Sequence, residues 1–129
     1  MPKLNPKKIL VVEDEEFLRD MYQVKLQEEG YDVFGAHNGK MGISLAELEQ
    51  PNLILLDIIM PDVDGYEMLE RLKKNSRTKS IPVIIFSNLS QKEEIEKGFK
   101  LGAADFVIKT SVTPGEIADK VKQQLNKKR

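Results

Sequence analysis

The sequence predicts an α/β fold, a doubly wound five-stranded parallel sheet with five helices. Three observations predict it. Five short apolar runs recur along 129 residues, four of them lack the polar alternation of a half-exposed strand, and each intervening segment is long enough for a helix. Strands covered on both faces and joined by helical crossovers assemble into a parallel sheet, because parallel neighbours cannot be linked by a tight turn.

The runs are Ile9-Leu-Val-Val12, Tyr31-Asp-Val-Phe34, Leu53-Ile-Leu-Leu56, Val83-Ile-Ile-Phe86 and Ala104-Asp-Phe-Val-Ile108. Between the first two, Leu18, Met21, Tyr22 and Leu26 fall at helical intervals within 15–29, and Gly30 stands where a helix C-terminus favours glycine. Asn38 is placed to cap the second helix. After the third run Pro61 supplies a turn and Asp64 a cap for Gly-Tyr-Glu-Met-Leu-Glu-Arg-Leu, and Ser90 stands ready to cap the fourth helix. The fifth helix opens on Thr113-Pro114, with proline at the favoured first position and Glu116 three residues after the cap, and runs to about Asn126. Right-handed crossovers then give a doubly wound sheet, for which the order 2-1-3-4-5 is taken as one of the two common arrangements. The folded domain spans 8–127, between a basic N-terminal tail over 1–7 and a C-terminal tail over 128–129, both expected to fray.

Composition narrows the function. Twenty Lys and Arg against 21 Asp and Glu leave a formal charge of -1, without the strong basic bias of a nucleic-acid binder, so no direct nucleic-acid binding is expected. The absence of cysteine excludes a disulfide framework, a thiolate nucleophile and a cysteine-based zinc site. The start lacks the apolar stretch of a signal peptide, and no apolar run approaches the roughly 20 residues that cross a bilayer. These features predict a soluble cytoplasmic protein with no membrane association.

In an open parallel sheet the ligand site lies beyond the carboxyl ends of the strands. There the sequence places Glu13-Asp14, Asp57, Ser87-Asn88 and Lys109-Thr110. Clustered carboxylates repel one another unless a cation joins them, and Mg²⁺ suits such a set because it prefers oxygen ligands and keeps waters that a phosphate oxygen can replace. A carboxylate beside such a cation can attack phosphorus, and the charge on the transferred group is then neutralised by the metal and by Lys109. Ser87 and the backbone N–H groups around Ile58 to Met60 add hydrogen-bond donors. Taken singly, each residue has a plainer explanation: Glu13 to Glu16 as acids favoured at a helix start, Ser87 as a loop hydroxyl, Lys109 as a surface charge. The lone His37 reads as a solvated loop residue, and Phe17 as an exposed apolar residue beside the acids.

The ordered set Ile9-Leu-Val-Val-Glu-Asp-Glu15, Leu55-Leu-Asp-Ile-Ile-Met-Pro-Asp-Val-Asp-Gly65, Ile84-Ile-Phe-Ser87 and Gly102-Ala-Ala-Asp-Phe-Val-Ile-Lys109 resembles the response-regulator receiver family of two-component signalling, over roughly residues 8–127. The resemblance implies the flavodoxin-like receiver fold and makes Asp57 the phospho-acceptor. It makes Asp14 a direct Mg²⁺ ligand, Glu13 a neighbour acting mainly through water, and the Ile59 carbonyl a further ligand. Ser87 becomes the switch hydroxyl, Phe106 the switch aromatic and Lys109 the phosphate-binding lysine. It also implies a histidine kinase or histidine phosphotransfer protein as phosphodonor, an output protein or an output domain outside this chain, and a phosphorylation-dependent homodimer as one form of output. The family's output face, formed by the fourth helix, fifth strand and fifth helix, would here include Lys97, Lys100, Phe106 and Ile117.

Two departures stand out: Thr110 follows Lys109 where the family has a cis proline, and Asn88 follows Ser87 where it commonly has a small residue. Ile59 and Leu89 are expected to flank the phosphate as an apolar rim that prolongs the phosphorylated state. A phosphatase or phosphotransferase with an aspartate nucleophile is the enzyme alternative, but that class needs a second aspartate where Ile59 stands. A degenerate receiver serving as a constitutive interaction module is the other alternative, and it would not bind Mg²⁺.

Overall fold

The computed structural model describes residues 5–127, so most of both expected tails lies outside the described residues. Along the chain run β1 (Lys8–Val12), α1 (Glu16–Glu28), β2 (Asp32–Ala36), α2 (Gly39–Glu49), β3 (Leu53–Leu56), α3 (Gly65–Lys74), β4 (Val83–Ser87), α4 (Lys92–Lys100), β5 (Asp105–Ile108) and α5 (Pro114–Leu125). All five strands pair in parallel, in the order β2-β1-β3-β4-β5.

The period of two along a strand divides the core between the two faces of the sheet. Leu10, Val12, Ile54, Leu56, Val83 and Ile85 face one way and pack with Ala46, Met68, Leu69 and Leu72 of α2 and α3. Ile9, Val11, Leu53, Leu55, Ile84, Phe86 and Val107 face the other way and meet Tyr22 and Leu26 of α1 and Ile117, Ala118 and Val121 of α5. The rings of Tyr22 and Phe86 meet edge to face, with centroids 5.1 Å apart. This double coverage is why the central strands carry no polar alternation.

The caps decide where the helices start. Asn38 accepts from the Met41 N–H at 2.8 Å, Asp64 from the Glu67 N–H at 2.9 Å, and Thr113 and Glu116 form a reciprocal capping box. Ser90 caps nothing among the described residues: the N-cap of α4 is one residue later, Gln91, whose N–H donates to Glu94 Oε1 at 3.0 Å. β2 begins at Asp32 and runs on to Ala36, because Gly35 and Ala36 continue the pairing with Val11 and Val12, while the Tyr31 N–H closes the end of α1 on the Leu26 carbonyl. Gly30 follows α1 with φ of 94°, the left-handed region open to glycine. Ile117 is 2% exposed and belongs to the inward face of α5 with Ala118 and Val121, so it forms no part of an output surface. No helix among the described residues is long and apolar enough to cross a membrane.

Candidate functional site

Strand register brings distant residues together at the carboxyl edge of the sheet. β1 ends at Val12, and the Asp57 N–H extends the β1–β3 ladder by donating to the Val12 carbonyl at 3.0 Å, which sets Asp57 beside Glu13. The Glu13 N–H donates to the Ala36 carbonyl at 3.0 Å, and Arg19 Nη1 donates to the Glu13 carbonyl at 2.9 Å, so the loop after β1 is held from both sides. β4 delivers Ser87 and β5 delivers Lys109.

These residues line one cleft of about 210 Å³ with Asp14, Glu15, Ile59 and Asn88. One carboxylate oxygen from each of Glu13, Asp14 and Asp57 lies within 4.8 Å of the other two. Lys109 Nζ reaches Glu13 Oε1 at 2.9 Å and Asp57 Oδ2 at 3.2 Å, and lies 4.9 Å from the centre of the Phe86 ring beneath it. Asp57 Oδ1 accepts from the Ile58 N–H at 2.8 Å. Ser87 is fully buried, and its hydroxyl accepts from the Leu89 N–H at 3.4 Å.

One ammonium thus serves two buried carboxylates, with Asp14 exposed at the rim. Burial, followed by the closeness and charge of the Asp57 carboxylate, pushes the Glu13 carboxyl up to about 8 against the pull of Lys109. Burial alone would lower the Lys109 pKa; Glu13 and Asp57 together outweigh it and hold it above its ordinary value. Glu13 Oε2 is buried and has no hydrogen-bond partner among the described residues. An orphaned carboxylate oxygen beside two further acids is a donor set that fits a hard divalent cation such as Mg²⁺.

Residues 9–122 match the model of the response regulator receiver domain family. The chain belongs to that family. It is 36% identical over 125 residues to a probable transcriptional regulator, ycf27, of Cyanophora paradoxa, covering 97% of this chain and 51% of that protein. It is 37% identical over 123 residues to the alkaline phosphatase synthesis transcriptional regulatory protein PhoP of Bacillus subtilis, covering 94% and 49%. The chain therefore spans about half the length of these curated relatives. A solved receiver domain protein (CheY-like) from Methanospirillum hungatei superimposes with a TM-score of 0.88 at 30% identity, over 95% of each chain.

Other residues of this receiver fall partly as expected and partly not. Ile59 lines the cleft and is 61% exposed, but Leu89 does not; it packs, half-buried, against the core, leaving Asn88 at the cleft. The apolar rim is therefore one-sided. The Lys109–Thr110 peptide is trans, and Lys109–Ser111 form a short 3-10 turn before α5. Phe106 is half-buried beside α4, and Lys97 and Lys100 are exposed. His37 is exposed in its loop, and Phe17, at 76% exposure, stands clear of its helix's buried stripe. Two residues at or near the site had no sequence signal of their own. Arg19 acts through a backbone carbonyl, and Asp62 accepts from the Gly39 and Lys40 N–H groups, each at 3.0 Å, across 23 and 22 residues of chain.

Proposed function

We propose that this receiver accepts a phosphoryl group on Asp57, in a Mg²⁺-dependent reaction, from a histidine kinase or histidine phosphotransfer protein. The observation that carries the proposal is the pairing of Lys109 with both Glu13 and Asp57 while Glu13 Oε2 is left buried without a partner. Glu13, Asp14, Asp57 and the Ile59 carbonyl are the groups that would hold Mg²⁺, which when bound supplies charge neutralisation for a phosphoryl group. An Asp57 carboxylate oxygen forms the new P–O bond as the donor's P–N bond breaks, and the departing imidazole takes its proton from solvent. Lys109, pinned by Glu13 and backed by Phe86, stands ready to pair with a phosphoryl oxygen.

Ser87 lines the same cleft, and the one hydrogen bond of its hydroxyl among the described residues is a long one, so the hydroxyl can turn to a phosphoryl oxygen at little loss. Phosphate would favour a conformer in which Ser87 and Lys109 both contact it, with Phe106 following the loop after β4, and so alter the surface around α4 and β5. The output is then a protein contact: a phosphorylation-dependent homodimer, a separate protein, or a domain beyond the 8–127 receiver, as the names of the transcriptional relatives favour. A cytoplasmic location suits such a donor. Mg²⁺ and a small acyl-phosphate donor should add one phosphoryl group by intact mass, a chelator should abolish the gain, and Asp57→Asn should prevent it. Equal gain by the variant would overturn the assignment.

A further inference from the structure

We propose that Asp62 is a positioning residue for the phospho-acceptor loop, tying the segment that carries Asp57 and Ile59 to the N-terminus of α2. The inference rests on the reading of Asp57 and its metal site given above. The loop between β3 and α3 spans residues 57–64, and its own backbone offers few anchors. At one end the Asp57 N–H joins the ladder, and at the other the Gly65 N–H donates to the Ile58 carbonyl at 2.7 Å. Gly65 sits so close to this backbone that a Cβ there would stand 2.6 Å from Ile58 Cα. Between those ends Met60 and Val63 are buried, and the Asp62 carboxylate reaches across to α2.

Both carboxylate oxygens are used. Oδ1 accepts from the Gly39 N–H and Oδ2 from the Lys40 N–H, each at 3.0 Å, while Asn38 takes the Met41 N–H at 2.8 Å. The first three N–H groups of α2 are therefore satisfied by two residues with different attachments. Asn38 belongs to α2's own entry, whereas Asp62 belongs to the phospho-acceptor loop. The negative charge also sits at the positive end of the helix dipole. Desolvation opposes ionisation, and the N–H groups of Gly39, Lys40, Val63 and Asp62 itself outweigh it, holding the carboxyl at about 2, so the tether is ionised throughout the physiological range.

This double capping separates two roles. Asn38→Ala and Asp62→Ala each remove a cap from the same helix end, but only Asp62→Ala releases the loop. Amide exchange by NMR on the full chain should show the Ile58 and Gly65 N–H groups exchanging roughly fivefold faster in Asp62→Ala, the factor a capping interaction of ordinary strength supports, and unchanged in Asn38→Ala. Calorimetric Mg²⁺ titration should show affinity falling roughly tenfold in Asp62→Ala, as for other residues that orient metal ligands, and holding in Asn38→Ala. Asp62→Asn, which keeps one acceptor oxygen, should restore part of both. Equal effects from Asn38→Ala and Asp62→Ala, or unchanged exchange in Asp62→Ala, would overturn the positioning role. Absence of Mg²⁺ binding by the wild type would instead overturn the metal reading, and the exchange comparison would still decide the role of Asp62.

Discussion

Above pH 8, replacing Asp57 with asparagine should stabilise the metal-free protein, although Asp57 is buried and paired with Lys109. Asparagine keeps the acceptor for the Ile58 N–H and removes only the charge. With an effective dielectric near 20, the attraction between Asp57 and Lys109 at 3.2 Å is worth about 5 kcal/mol. Glu13 and Asp14 lie within 4.8 Å of Asp57, and each repels it by about 3.5 kcal/mol on the same scale when ionised. Asp14 is exposed, so solvent screens most of its share, whereas Glu13, whose carboxyl is pushed up to about 8, is ionised and repels in full at pH 9. Attraction and repulsion then nearly cancel, leaving the desolvation of a carboxylate that is 8% exposed, which the variant no longer carries. A gain of about 1 kcal/mol is expected, or a rise in Tm of about 3–5 °C for a domain of this size. Thermal unfolding followed by circular dichroism in chelator at pH 9 provides the assay. Adding Mg²⁺ at about ten times its Kd should raise the wild type by roughly 1.4 kcal/mol and the variant far less, closing the gap. A variant less stable than the wild type without metal would refute the charge argument and make Asp57 a structural anchor.

Leu69→Ala should destabilise the protein by about 2–5 kcal/mol in denaturant titration, since Leu69 is fully buried between α3 and the sheet; a loss under 1 kcal/mol would mean that this face of the core is loosely packed. The Asp62 carboxyl is depressed in the folded state from 3.8 to about 2, so its stabilisation is present above pH 4 and is lost as pH falls towards 2. The Tm difference between the wild type and Asp62→Asn should therefore be largest above pH 4 and narrow towards pH 2, and a constant difference would count against it. Ile59→Glu should shorten the half-life of the phosphorylated protein several-fold, because Ile59 is the apolar part of the cleft rim and glutamate can position water there; an unchanged half-life would show that the rim does not control water.

The strands and their order of appearance were legible because burial on both faces writes itself as an unbroken apolar run. Caps at Asn38, Asp64 and Thr113 were legible because they are local, each acting within three residues. Ser90 misled for the same reason: its type suits a cap, but the cap is one residue later, where Gln91 and Glu94 pair. The convergence of Glu13, Asp14, Asp57, Ser87 and Lys109 followed from the rule that ligands bind at the carboxyl edge of a parallel sheet, and the five do line one cleft. What stayed hidden depends on side-chain direction or long-range backbone contact. Leu89 turns into the core, Ile117 faces the sheet, Arg19 holds a carbonyl and Asp62 spans to α2. Of these only Ile117 leaves a periodicity, standing at helical intervals with Ala118, Val121 and Leu125.

The central claim is that the phosphoryl group resides on Asp57, and chemical mapping tests it most directly. After incubation with Mg²⁺ and a small acyl-phosphate donor, borohydride reduction converts an aspartyl phosphate to homoserine, which peptide mass spectrometry locates. The account predicts a single reduced site at Asp57. Reduction at Asp14 or Glu13 instead, or none anywhere in a chain shown to be folded and bound to Mg²⁺, would contradict it.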